Sequence, residues 1–229
     1  TWGDLADVPE LGYGLLPKEA PAIGASSLFI DPSGQLHLLY HHNESMARST
    51  PRYHLLAGGG WNMRKTVDNN APDGFAGYNP RVVTFGTRKY ALYFYRKVPG
   101  DGTADLLLAT WVDGLEKPGV EILDSGIAAP DAMYPRHVAA MAVDKYGLLH
   151  LAIVAPPSTS PNKAPLEYRR QVRLPAGGTK WLNDIVAPEV LSEQSSAYVD
   201  LLVDENARPH IAYRNGADSK VYYATRFDR

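Results

Sequence analysis

Met141-Ala142-Val143-Asp144-Lys145-Tyr146-Gly147-Leu148-Leu149-His150-Leu151-Ala152-Ile153 reads as an apolar run, a turn led by an aspartate and closed near a glycine, and a second apolar run with one histidine. An aspartate suits that turn because its carboxylate bonds backbone N–H groups a few residues on, and glycine accepts the left-handed step such turns contain. Two short apolar runs around a turn of this kind make a β-hairpin. The pattern returns in Leu28–Tyr40, with Asp31, Gly34 and His37, and in Leu201–Tyr213, with Asp204 and His210. A degenerate copy runs from Arg81 to Tyr93, where the aspartate is missing and Tyr90 takes the histidine's place. The shared position falls at residues 37, 90, 150 and 210, at spacings of 53, 60 and 60.

Each hairpin is followed by a third strand, around Arg52–Leu56, Asp105–Ala109, Leu166–Arg170 and Lys220–Ala224. A glycine-rich turn and a fourth strand come next, led by Trp61 and Trp181 in two copies and by Gly119 in another. The last copy stops at its third strand, and Trp2-Gly3-Asp4-Leu5-Ala6-Asp7-Val8 resembles the missing fourth. Self-similarity at this period marks a repeat architecture. The expected fold is all-β: a β-propeller of four blades, each of four antiparallel strands, with the last blade closed by the N-terminal strand. The repeats are expected at residues 25–67, 78–123, 136–186 and 196–229 plus 1–8, in one domain. A β-sandwich also has many short strands, but it does not repeat one turn motif every 50–60 residues.

Composition agrees with this. Aromatic content of 10% with 20 Gly and 18 Pro in 229 residues favours short strands and tight turns. The formal net charge of −2 lacks the basic excess of a nucleic-acid binder, so no nucleic-acid partner is expected. No apolar run approaches the length that spans a bilayer, so no membrane span is expected. The absence of cysteine excludes disulfides and thiolate metal sites. The chain begins Thr1-Trp2-Gly3, so either a leader has been removed or a longer chain has been cut, and no targeting signal is legible.

The apolar-Asp-x-x-Gly-x-x-His-apolar-x-Tyr hairpin resembles the repeats of bacterial β-propellers of the sialidase-like, neuraminidase-repeat kind. The resemblance covers most of the chain and implies propeller architecture alone; a secreted or extracytoplasmic location is a separate expectation. The Ser-x-Asp-x-Gly-x-x-Trp box of sialidases is not matched at Asp31, Asp144 or Asp204, which argues against sialidase chemistry here.

Turns within the hairpins are lean, whereas the loops at the opposite ends of the strands are long. These loops are expected at about residues 41–51, 68–79, 95–104, 124–136, 155–165 and 187–196. Binding groups concentrate on such loops. The ligand-binding candidates on that face are His41, His42, Tyr78, Arg81, Tyr134, Arg136 and His137. Tyr78-Asn79-Pro80-Arg81 and Tyr134-Pro135-Arg136-His137 both lead into the first, channel-lining strand of a blade. An arginine there can grip a carboxylate or sulfate with two parallel bonds, and a tyrosine can stack on a sugar. The competing reading pairs these arginines with the aspartate turns of adjacent blades. His37, His150 and His210 recur at one strand position, which points to packing and hydrogen bonding. His41 and His42 are adjacent on a strand and point to opposite faces, and no spacing suited to metal ligation occurs, so neither metal nor cofactor is expected. Three functions compete: a carbohydrate-binding module, a lyase or glycosidase acting on acidic glycans (with Asp73, Asp101 and Asp131 as loop carboxylates), and a protein-interaction scaffold using Phe75, Met133 and Tyr134.

Overall fold

The computed structural model describes residues 26–45, 48–57, 60–67, 75–96, 103–112, 117–128, 138–156, 164–190, 198–216 and 218–226, with the backbone alone at 42–45, 48, 57, 60–65 and 75–78. These residues form strands and turns, without helix. They make four antiparallel sheets in chain order. The first holds β1 (Ser26–Ile30), β2 (Leu36–Ser45), β3 (Arg48–Ala57) and β4 (Gly60–Thr66). The second holds β5 (Phe75–Phe85), β6 (Arg88–Arg96), β7 (Thr103–Val112) and β8 (Gly119–Ala128). The third holds β9 (Val138–Val143), β10 (Leu149–Val154), β11 (Leu166–Arg173) and β12 (Thr179–Ala187). The fourth has three strands among the described residues, β13 (Tyr198–Val203), β14 (Pro209–Arg214) and β15 (Val221–Thr225). A single parallel bridge, Ser49 to Phe75, links the first two sheets. The expected closing strand, Trp2–Val8, lies outside the described residues.

The aspartate turns show why the hairpins form. In three of them the first Asp oxygen accepts two backbone N–H groups of its own turn. Asp31 takes those of Ser33 and Gln35, Asp144 those of Tyr146 and Leu148, and Asp204 those of Asn206 and Arg208, at 2.8–2.9 Å. The second oxygen faces Nε2 of the histidine on the next strand, at 3.3 Å for His37 and 3.4 Å for His150 and His210. The other ring nitrogen, Nδ1, meets a tyrosine hydroxyl on the third strand: Tyr53 at 2.7 Å, Tyr168 at 2.6 Å and Tyr223 at 2.5 Å. A neutral ring satisfies both contacts, with Nε2–H donating to the carboxylate and Nδ1 accepting the phenol proton. Each chain therefore ties together the turn, the second strand and the third strand of one sheet.

The second sheet is built differently. Its hairpin closes at Phe85–Arg88 around Gly86-Thr87, with Gly86 at φ 57°, whereas the others close around five residues. Counting from the turn, Lys89 occupies the histidine's step. Tyr90, one residue further, lies on the face turned to the next sheet and packs there with Leu92 and Phe94. The alignment of Tyr90 with the histidines thus holds for the face but not for the count.

Apolar side chains fill the spaces between successive sheets. Leu39 and Tyr53 pack with Tyr93 and Trp111 between the first and second sheets. Phe94 and Leu106 pack with Leu149 and Leu151 between the second and third, and Tyr168 and Leu166 with Leu201 and Ile211 between the third and fourth. Trp181, on an outer strand, joins the second of these clusters. Each fully buried large side chain contributes about 1.5–3 kcal/mol. The outward face of the fourth sheet is uncovered: Leu202 is 66% and Tyr223 64% exposed, whereas His37 and His150 on the matching faces are 2% and 3% exposed.

Three loop expectations change. The last part of the loop expected at residues 68–79 belongs to β5, which begins at Phe75, so Tyr78 is a strand residue. The loop expected at residues 41–51 is the continuation of β2 and β3, paired as far as Ser45–Arg48, so His41 and His42 are strand residues. The loop expected to begin at residue 124 starts later, because β8 continues to Ala128.

Removing one phenol tests the hydrogen-bonded chain. Tyr168→Phe leaves a buried ring nitrogen unpaired and is expected to cost about 1–3 kcal/mol, whereas Tyr223→Phe, open to water, costs about 0.5 kcal/mol or less. Urea unfolding that gives equal losses contradicts this. Gly34 (φ 83°) and Gly147 (φ 79°) both need a left-handed backbone, but a Cβ at Gly147 would also lie 2.7 Å from the Phe85 ring. Gly147→Ala is therefore expected to cost about 1 kcal/mol more than Gly34→Ala, and Phe85→Ala should erase the difference.

Stability should also fall with acid in two windows. Burial holds His150 below its ordinary 6.5, against the pull of Asp144. The unfolded ring then takes a proton more readily than the folded one, so stability drops as pH falls below 6.5. Burial of Asp31 acts upward, but bonds from Ser33, Gln35 and His37 outweigh it and hold the carboxyl at about 2, below its ordinary 3.8. Its contribution is complete above 3.8 and is lost as pH falls towards 2. Urea midpoints recorded from neutral to strongly acidic pH should show both declines, with the upper one reduced in His150→Gln.

Candidate functional site

The first strands of all four sheets, β1, β5, β9 and β13, line one cavity of about 930 Å³. Successive first strands also touch, β1 with β5, β5 with β9 and β9 with β13. Side chains along the wall are largely apolar and include Leu28, Ile30 and Leu202, all well exposed. The hairpin end of the cavity carries Asp31, Phe85 and Lys145, and the opposite, long-loop end carries Ser27, Arg81 and Asp200.

Arg81 reaches that end through an irregular strand. The β5–β6 register shifts between Ala76 and Tyr78 and again between Tyr78 and Arg81, and Asn79 has φ 45°. Pro80 has no N–H to give to the ladder, which accounts for pairing failing here. Bulges of this kind bend a strand and re-aim a side chain. The half-buried guanidinium of Arg81 donates from Nη1 to the carbonyl of Pro80 at 3.0 Å and has no ion-pair partner among the described residues. Burial lowers its pKa, and the negative field of Asp200 partly offsets that. Neither of the aspartate turns lining the cavity takes this arginine: Asp31 and Asp144 bond their own turns and histidines. Arg169 is different in kind. Burial acts to lower its pKa, but bonds to Asp124 and Glu167, both at 2.7 Å, raise it and occupy the guanidinium.

Of the other candidates, His41 and His42 sit on β2 opposite Pro51 and Thr50, and Thr50 neighbours Ser49, which bridges to Phe75 at the start of β5. The structure thus brings the His41–His42 end of β2 and the strand that carries Tyr78 and Arg81 to the same end of the first two sheets. Tyr134, Arg136 and His137 lie outside the described residues, as do Asp73, Asp101 and Asp131. No group of three or more His, Asp or Glu side chains suited to a metal ion occurs among the described residues. Sequence reasoning missed two sets of polar contacts. The tyrosine partners Tyr53, Tyr168 and Tyr223 stand 16, 18 and 13 residues after their histidines, so no fixed spacing signals them. His54 and Tyr40 form a buried pair, stacked at 5.6 Å between ring centroids with Nε2 3.2 Å from the hydroxyl.

No protein-family model and no curated protein matches the chain. Among solved structures it is similar to an α-L-arabinanase of Penicillium chrysogenum complexed with arabinobiose, at TM-score 0.51 and 13% identity, over 87% of this chain and 61% of that one. An ulvan lyase of polysaccharide lyase family PL25, bound to -[GlcA(1-4)Rha3S]-, matches at TM-score 0.48 and 12% identity over 88% and 55%. A GH93 α-L-arabinofuranosidase of Fusarium graminearum, complexed with arabinobiose, matches at 0.46 and 12% over 88% and 64%. The chain therefore spans between 55% and 64% of the lengths of these structures. These are propeller-type carbohydrate-active enzymes, and the likeness to the arabinanase identifies the fold of this chain as propeller-like; it does not single out the sialidase-like kind.

Proposed function

We propose that the chain is a carbohydrate-binding β-propeller that takes an acidic saccharide at the long-loop end of the central cavity, with Arg81 facing the carboxylate or sulfate. The observation that carries this reading is the Arg81 guanidinium, half-buried in the wall of a cavity of about 930 Å³ and without an ion pair among the described residues. A desolvated arginine fork is suited to an incoming oxyanion, and the apolar wall beyond it suits the faces of sugar rings. The arabinanase of similar fold was solved with arabinobiose, which is consistent with a saccharide in a fold of this kind. Binding has more support than turnover. Among the described residues that line the cavity there is no histidine or tyrosine to serve as base; Asp31 and Asp144 are engaged in their turns, and Asp200, the carboxylate beside Arg81, accepts the N–H of Leu201.

The finer architecture belongs to the same reading. The four sheets are the blades of one ring, and residues 2–8 add to β15 as the fourth strand of the last blade. Support comes from the uncovered face of the fourth sheet, since the first and third sheets bury the equivalent histidine against the sheet that follows.

Calorimetric titration with uronate-bearing and matched neutral oligosaccharides tests this. The acidic series should bind, and Arg81→Gln should weaken it about 10- to 100-fold, the loss expected for a charged hydrogen-bonded contact. Equal binding of the neutral series, or an unchanged Arg81→Gln variant, refutes the assignment. Unsaturated uronate products in the same mixtures would identify a lyase instead, and no saccharide binding at all would favour a protein-interaction scaffold.

A further inference from the structure

A second cavity, of about 390 Å³, opens between the third and fourth sheets at their hairpin ends, away from Arg81. Its wall is formed by Arg170 and Arg173 of β11, Asp144 and Tyr146 of the third sheet's turn, and Asn206 and Ala207 of the fourth sheet's turn. Small-molecule sites commonly span roughly 300–1,000 Å³.

Arg170 pairs directly across the ladder with His150, so the two side chains share the face turned to the fourth sheet. Its Nε is shielded from solvent and has no hydrogen-bond partner, and the guanidinium has no ion pair among the described residues. A buried polar group in this condition calls for an explanation, such as a ligand. The acid on the wall cannot serve, because Asp144 already bonds the N–H groups of Tyr146 and Leu148 and faces the His150 ring. The repeat does not require an arginine here. The residue paired with the histidine is Leu55 in the first sheet and Thr225 in the fourth. The surrounding groups are also set in place. Arg173 donates to the carbonyl of Tyr146 at 2.8 Å, which holds its guanidinium at the rim. Ala207 keeps φ 61° on the wall, at the turn position where the other two aspartate hairpins have Gly34 and Gly147. Backbone strain retained at a cavity is a pointer to function.

We infer that this inter-sheet cavity binds a small oxyanion, a carboxylate or sulfate group, gripped by the Arg170 fork with Arg173 and Asn206 at the rim. The site borders the central cavity at Asp144, which lines both, but does not depend on Arg81. The nearby neutral His150 keeps the cavity from carrying excess positive charge, so a single anionic group is the expected match.

The experiment is an amide-resonance titration of the protein with sodium glucuronate in one arm, sodium sulfate in a second and glucose in a third, at ionic strength held constant with sodium chloride. At least one anion should shift amides in residues 144–150, 170–173 and 204–208, glucose should not, and the responding arm identifies the group. Arg170→Leu, which places in the third sheet the residue type that the first carries as Leu55, should weaken the response at least tenfold while Arg81→Gln leaves it intact. Arg170→Lys, which keeps the charge but not the fork, should lie between them and serves if the leucine variant fails to fold. No response to either anion at millimolar concentration, an equal response to glucose, or an undiminished response in both Arg170 variants overturns the inference. Loss of saccharide binding in Arg81→Gln with this response retained separates the two sites.

Discussion

One carboxylate with two tasks underlies most of this fold. In the first, third and fourth sheets a single aspartate holds its turn with one oxygen and a histidine of the next strand with the other. The histidine then holds a tyrosine of the third strand. Three strands are thereby locked in register by one side-chain chain. Register decides everything downstream, because a slip of one residue would turn each strand's apolar set to the wrong face. With register fixed, both faces of the inner sheets become available for burial, and the sheets stack through the three apolar clusters that separate them.

The second sheet shows that this device is sufficient but not necessary. Its two-residue turn leaves no place for an aspartate loop, and no His–Tyr contact bridges its strands in the manner of the other three. Apolar packing does the same job there. Trp111 is fully buried beside Tyr93 and meets Tyr53 of the first sheet edge-on at 5.2 Å, and Leu92, Phe94 and Leu106 are fully buried on the sheet's other face. A sheet flanked on both sides by its neighbours has enough apolar area to set its own register. The fourth sheet, covered on one face, keeps the polar lock.

The hairpins were legible because their signals are local: Asp31, Asp144 and Asp204 act on N–H groups two and four residues away. The third strands and Trp181 were legible by repetition. The tyrosine partners were not, since the β2–β3, β10–β11 and β14–β15 connections differ in length and the contact is made across the sheet. The one-residue offset between Lys89 and Tyr90 was hidden for a related reason, because shortening a turn moves count and face independently. Arg81 was legible as a residue entering a channel-lining strand, but the bulge at Tyr78 and Asn79 that delivers it is a consequence of failed pairing at Pro80 and of the neighbouring strand. Arg170 gave no signal at all, because an arginine on a strand is unremarkable until its histidine neighbour and missing partner are seen.

The two ends of the central cavity follow from this difference in construction. At the hairpin end the short turn of the second sheet places Phe85 against Gly147, so close that a Cβ there would meet the ring at 2.7 Å. Gly147 therefore serves both its own left-handed turn and the packing of the neighbouring sheet, and that end is built of interlocked turns. At the long-loop end β5 starts irregularly, and the bulge before Arg81 sets its charged side chain into the wall, bonded to the Pro80 carbonyl and without an ion pair among the described residues. A rigid end fixes the spacing of the first strands, and an irregular end varies what they present. The cations of the two ends differ accordingly: Lys145 stands on an aspartate turn at the first, and Arg81 is set into the strand wall itself at the second.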